Sequence, residues 1–371
     1  MKIDFIDLKA QQKRIRQSLD QRIAKVLDHG SYILGPEVKE LEAQLARYVG
    51  VKHCVSCGNG TDALLMALMA YDVKPGDAIF VPPFTFVATA EVVALAGATP
   101  VFVDVDEETY NISSVSLEKA IDSFKSRKTG LRPRGIIPVD LFGQPADYDA
   151  ITSIAQRNNL FVLEDAAQGF GAVYRGKKTC SFGDIAATSF FPAKPLGCYG
   201  DGGAIFTNDA EMDAKLRSIR VHGQGVDKYD NVRIGLNGRL DSIQAAVLLA
   251  KMEIFDDELV LREKVAQRYT ALLKDSVVTP HVSPDCTSCW AQYSILTKNR
   301  DSMISKLKAA NVPTAIYYPK PLHLQDAFTS LGHKKGDFPV SERIADQVLS
   351  IPMHPYLDEV TQDYIVNAVR S

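Results

Sequence analysis

The 371-residue sequence predicts an α/β protein: a mainly parallel central sheet covered by helices, then a smaller C-terminal α/β domain. Three observations predict it. Short apolar runs alternate with helical patterns between residues 54 and 163, the pattern of a sheet whose strands are joined by crossover helices. Glycine-bearing turns interrupt the alternation at residues 58–60 and 197–203. After residue 250 the elements shorten and prolines punctuate them at 280, 284, 313, 319 and 321. The expected division is residues 1–250 and 251–371.

Each element has its own signal. Ile15, Leu19, Ile23, Val26 and Leu27 recur at helical period, and Gly30 to Pro36 breaks that helix. Pro36-Glu37 opens a second amphipathic helix through Tyr48. A strand at 54–56 leads through Gly58-Asn59-Gly60-Thr61 into a helix at 62–70, apolar on nearly every face and so buried. Strand 78–82, helix 87–96, strand 101–103, helix 117–124, strand 135–139, helix 148–157 and strand 160–163 follow. The apolar run 185–191 is separated from 204–206 by a glycine-rich turn. Helix 209–220, a polar loop at 222–238 and a long helical region at 240–273, broken near Asp256-Asp257, follow, the last running across the expected division.

Apolar residues make up 46% and charged residues 23% of the chain, ordinary for a soluble globular protein. The net charge of −3 gives no basis for a nucleic-acid or anionic-membrane partner. The N-terminus lacks a signal-peptide core and no window reaches the length of a membrane span, so a cytoplasmic location is expected. The six cysteines are too scattered for a disulfide framework. Cys54 and Cys57 share a strand, where residues three apart face opposite ways, and Cys286/Cys289 lack a second ligand pair; no metal site is expected. The basic segment 125–134 reads as a solvated loop.

In parallel sheets ligands sit beyond the carboxyl ends of the strands, and several chemistry-bearing stretches fall there. Lys194 lies between an apolar run and the glycine-rich turn, with Phe190-Phe191-Pro192 supplying apolar surface. Desolvation disfavours an ammonium ion, which lowers a lysine's pKa and makes it a usable nucleophile. Gly58 to Ala63 fits G-x-G-x-x-A, a dinucleotide pattern, but the next strand ends without the acid that holds a ribose. What remains is a helix N-terminus whose free N–H groups suit a phosphate, or a tight turn. Glu164-Asp165 ends an apolar strand; Asp165 either caps a following helix or pairs with a protonated ring nitrogen. Ser189 can join a phosphate site, Phe84 to Phe86 places aromatics at a strand end, and Asn237-Gly238-Arg239 offers an amide and a guanidinium to anions. A lysine, a carboxylate, a phosphate site and an aromatic together form the inventory of a pyridoxal phosphate site.

At these residues the sequence resembles the PLP-dependent nucleotide-sugar aminotransferases of fold-type I, the DegT/StrS family. The resemblance is carried by residues 30–37, 60–64, 83–89, 164–168, 189–197, 200–204, 237–241 and 318–323. It implies that Lys194 binds the cofactor covalently, Asp165 keeps its ring nitrogen protonated, Gln168 contacts the ring hydroxyl and Phe86 stacks on the ring. Gly60, Thr61 and Ser189 would hold the phosphate, with Asn237 reaching it from a second subunit, hence a homodimer with shared sites. L-glutamate would donate the amine and a keto-sugar nucleotide accept it.

Within the family the resemblance is nearest to the branch acting on UDP-2-acetamido-2-deoxy-3-oxo-hexuronic acid, for bacterial surface polysaccharide. On that analogy Gly30, Tyr32, Arg239, Tyr317, Tyr318 and His323 line the sugar-nucleotide pocket. Two departures fall on the substrate side: Ala193 stands where Ser often precedes the lysine, and Tyr317-Tyr318-Pro319 stands for His-Tyr-Pro. Competing readings are amination at C4 of a deoxysugar, a nicotinamide-dependent oxidoreductase, and a sensor that binds a sugar nucleotide without turnover.

Overall fold

The computed structural model describes residues 2–127, 130–227 and 229–371. Among them, seven strands form the central sheet in the order His53–Cys57, Gly203–Thr207, Ile185–Ser189, Phe161–Asp165, Arg132–Ile136, Asp77–Val81, Thr99–Phe102. The five from Ile185–Ser189 to Thr99–Phe102 run parallel to one another. Gly203–Thr207 runs against both of its neighbours, because residues 190–202 fold back at the sheet's ligand-facing end instead of crossing over.

Alternating side chains along the strands feed two faces. Val55, Cys57, Ile79, Val81, Leu163, Ala187 and Ile205 pack under helices Gly60–Ala70 and Ala88–Leu95. Cys54, Ala186, Ala204 and Phe206 meet helices Leu8–His29, Pro36–Val49 and Ser242–Met252. Cys54 and Cys57 thus sit in different clusters, on opposite faces of one strand. Ala78, Phe80, Ile136 and Val162 meet Ser114–Ser126 and Tyr148–Asn158. Gly60–Ala70 is rich in Ala, Leu and Met, strong helix formers, and its Leu64, Met66 and Leu68 are buried, each worth about 1.5–3 kcal/mol.

The C-terminal elements build their own cluster around the antiparallel pair Tyr293–Leu296 and Val348–Ile351. Val265, Tyr269 and Leu273 of helix Phe255–Leu273 pack there, while Phe255 packs in the sheet's cluster. Ile3 also joins the C-terminal cluster, so the first residues lean on the last. No helix among the described residues is long and apolar enough to cross a membrane.

Two expectations need correction. The helical break falls at Glu253-Ile254; Asp256, Asp257 and Glu258 lie in the first turn of the next helix, where negative charge favours the helix dipole. The basic segment is not a solvated loop throughout. Arg132 and Arg134 enter a strand because the buried Asp77 carboxylate holds them, at 2.8 and 3.8 Å. Lys128 lies outside the described residues.

Candidate active site

Strand register assembles the site. Gly203 pairs with Ser189 on one side and Cys57 on the other, so residues 132 positions apart meet at one strand end. A Cβ on Gly60 would stand 2.6 Å from the Ser189 Cβ, and one on Gly203 would stand 3.0 Å from the Gly60 nitrogen. Only glycines let these backbones approach so closely. Asn59 caps helix Gly60–Ala70 through the Asp62 N–H at 2.7 Å, which leaves the N–H groups of Gly60 and Thr61 in the unpaired first turn beside the Ser189 hydroxyl.

One strand over, Asp165 pairs with Ala187, two residues before Ser189. Its Oδ2 accepts from the Thr89 hydroxyl at 2.8 Å and its Oδ1 from the Ala167 N–H at 3.2 Å. No helix follows Asp165, so it is not a helix cap. Burial raises its pKa, while Thr89, the Ala167 N–H and the Lys194 charge act in the other direction.

Lys194 faces this carboxylate from the turn after Ser189. Burial lowers the pKa of its amine, against the pull of Asp165 and Cys289. Among the described residues it makes no ion pair at contact distance. Of the two rings expected to supply apolar surface there, Phe190 is fully buried in the core and Phe191 is 52% exposed, both just past the strand that ends at Ser189.

Gln168 is buried and oriented. Its Oε1 accepts the Phe142 N–H at 2.7 Å, so its Nε2 is left to donate, at 3.0 Å, to the Tyr318 hydroxyl. Tyr318 thereby carries the C-terminal region to the strand ends, 6.1 Å from the Phe86 ring. Phe84 packs in the core, whereas Phe86 is 51% exposed over the site.

Asn237, Arg239, Gly30 and Tyr32 form a second group. The Gly58 N–H donates to the Gly238 carbonyl at 3.1 Å, and Ile33 bridges to Asp241. Asn237 and Tyr32 are exposed, and the Arg239 Nε is buried without a partner among the described residues. Tyr317 is partly buried, its ring 6.4 Å from Phe5. His323 departs from expectation. Its ring is buried against Phe338 and bonded to Glu342 at 3.0 Å, so it lines the hydrophobic core rather than an open pocket.

Thr89 and the Phe142 N–H were not singled out from sequence. Thr89 sits one helical turn after Thr85, with the two hydroxyls 3.2 Å apart, and that i,i+4 spacing at a strand end was the available signal. Nothing in the sequence marks Phe142, whose backbone takes a left-handed φ of 58° in the turn after Asp140.

Residues 13–370 match the DegT/DnrJ/EryC1/StrS aminotransferase family. The chain belongs to that family. This aminotransferase is 52% identical over 368 residues, 99% of each chain, to the UDP-2-acetamido-2-deoxy-3-oxo-D-glucuronate aminotransferase of Pseudomonas aeruginosa. Its fold is similar to that of a DegT/DnrJ/EryC1/StrS aminotransferase from Brucella abortus, with TM-score 0.97 and 54% identity over 99% of this chain and 98% of that one. It is also similar to DesV of S. venezuelae in complex with a ketimine intermediate, with TM-score 0.95 and 38% identity over 100% and 98% of the two chains.

The cofactor of this aminotransferase is pyridoxal phosphate. The residues fit the group. The Gly60–Ser189 contact is a cradle that a Cβ would fill, Asp165 is a buried carboxylate without a cation in contact, and Phe86 offers an uncovered ring.

Proposed function

We propose that this aminotransferase moves the amine of L-glutamate onto the 3-keto carbon of a UDP-linked 2-acetamido-2-deoxy-hexuronic acid, a step toward bacterial surface polysaccharide. The observation that carries this reading is the 52% identity, across 99% of both chains, to a relative named for that type of substrate.

Pyridoxal phosphate, when bound, supplies an electrophilic carbon and a conjugated ring that stores the electron pair of a broken C–H bond. Asp165 holds the proton at the ring nitrogen, and its neighbour Thr89 keeps the carboxylate turned toward it. Gly60, Thr61 and Ser189 bind the phosphate through N–H and hydroxyl donors. Gln168 Nε2 orients the ring hydroxyl, and Phe86 covers one ring face. Lys194 Nζ anchors the group and, once released, moves a proton to and from the substrate carbon; its lowered pKa keeps the neutral amine available. Arg239, whose Nε has no partner, binds the uronate carboxylate, with Gly30, Tyr32, Tyr317 and Tyr318 around the sugar nucleotide.

The working unit is a homodimer in which Asn237 serves the partner's phosphate site. Exposed apolar side chains at Val226, Val232 and Ile234, in the loop that ends at Asn237, support a second copy as their cover. Residues 251–371 act as the smaller unit and bring Tyr317 and Tyr318 to the site.

Assay of purified enzyme with glutamate and either the 3-keto-uronate or a 4-keto-deoxysugar nucleotide tests the substrate. Turnover of the first is expected; turnover of the second alone contradicts the reading. Mixing Lys194→Ala and Asn237→Ala subunits tests the shared site: mixed dimers recover activity if Asn237 acts across the interface.

A further inference from the structure

Three acids meet in one buried corner behind the site. Asp140, Glu164 and Asp165 are 0, 0 and 4% exposed. Asp165 faces the cofactor; the other two have no part in the chemistry above. Among the described residues neither makes an ion pair with a cation.

Their hydrogen bonds are unequal. Both oxygens of Glu164 are occupied, by the Cys180 N–H at 2.6 Å and the Phe182 N–H at 2.8 Å. Asp140 Oδ1 accepts from the Tyr148 hydroxyl at 2.7 Å and the Ala146 N–H at 3.1 Å. Among the described residues Asp140 Oδ2 is buried with no N–H or hydroxyl donor. It lies against Gly169, where a Cβ would come within 2.6 Å of it, and beside the Glu164 carboxyl. Two carboxyl groups in contact, away from water and cations, cannot both stay ionised. A proton between them provides the donor that Oδ2 lacks. Burial pushes both acids up; Asp140 raises Glu164 further, whereas the hydrogen bond with Glu164 favours ionised Asp140, against the nearby Asp165 charge.

Asp140 also touches the residues that meet the cofactor. Its N–H donates to the Asp165 carbonyl at 3.0 Å. Its Oδ1 ties down the turn at 140–146, whose Phe142 N–H fixes the Gln168 amide.

We propose that Asp140 is a positioning residue for the cofactor site: it shares one proton with Glu164, so the strand end carries two negative charges rather than three, and it anchors the turn that aims Gln168. This rests on the pyridoxal phosphate reading, but the shared proton belongs to the protein itself. If the pair lost that proton, a second charge would develop beside Asp165 and raise the proton affinity of the bound cofactor's lysine nitrogen.

Infrared spectroscopy of the cofactor-free protein is the first test. Wild type should show the C=O band of a protonated carboxylic acid, absent in Asp140→Asn, where the amide donates to Glu164 in place of the proton. Lack of the band in wild type overturns the proposal whatever the cofactor does. The second test titrates the visible absorbance of bound cofactor against pH. Asp140→Asn should bind cofactor within about threefold of wild type and titrate with the same midpoint, because the pair carries one negative charge in both proteins. Asp140→Ala, which frees the turn, should lose cofactor affinity at least tenfold. A midpoint in Asp140→Asn displaced by a pH unit or more overturns the proposal. A wild type that acquires no visible band at all overturns the cofactor reading instead.

Discussion

The Thr89 hydroxyl donates a 2.8 Å hydrogen bond to Asp165 Oδ2, with both residues buried. This bond does two things. It replaces water as a donor to a carboxylate whose burial pushes its pKa up, and together with the Ala167 N–H on Oδ1 it fixes the direction in which the carboxylate faces.

Thr89→Val keeps the shape and removes the donor. A hydrogen bond to a charged group contributes about 1.5–3 kcal/mol, so cofactor affinity should fall roughly ten- to a hundredfold. Equilibrium dialysis of pyridoxal phosphate against the variant measures it. An unchanged affinity would show that Asp165 needs no help from Thr89.

Gly60→Ala should damage the phosphate site without touching the ring. The new Cβ would meet the Ser189 Cβ at 2.6 Å, so one backbone must move. Overpacking of this kind costs about 1–3 kcal/mol. The expected result is a weaker cofactor complex and a lower melting temperature, read by dialysis and calorimetry. A variant that matches wild type in both would mean that the helix terminus and Ser189 do not form one cradle.

His354 gives the stability a pH dependence. Burial, with Arg262 second, pushes its pKa down to about 4, below the ordinary value near 6.5. The unfolded chain therefore takes up a proton that the folded chain refuses. Stability from this group is complete above pH 6.5 and is lost as the pH falls toward 4, at roughly 1.4 kcal/mol per unit. Unfolding free energies from urea titrations at pH 7.5 and 5 should differ by about 2 kcal/mol more in wild type than in His354→Gln. Equal differences in the two proteins would remove His354 from the account.

Much of this was legible in the sequence, for local reasons. The alternation of apolar runs and helices gave the sheet, and Lys194, Asp165 and Gly60 stand at strand ends that the alternation itself locates. The rest depends on partners far away in the chain. His323 belongs to the core because Glu342 and Phe338 meet it, and no local pattern announces that. The direction of Gln168 is fixed by a backbone N–H in a left-handed turn at Phe142, and the donor to Asp165 comes from 76 residues upstream. Phe190 and Phe191 look alike as letters, yet just past the strand's end at Ser189 one ring is buried and the other exposed.

The central claim is that the Lys194 amine carries the cofactor and its proton. Its most direct measurement is the visible spectrum of purified protein before and after glutamate, in wild type and in Lys194→Ala. Wild type should lose its long-wavelength band on adding glutamate, while Lys194→Ala should lack the wild-type band and turn over at least about a hundredfold more slowly. An unchanged wild-type spectrum, or a Lys194→Ala enzyme as active as wild type, would contradict the account.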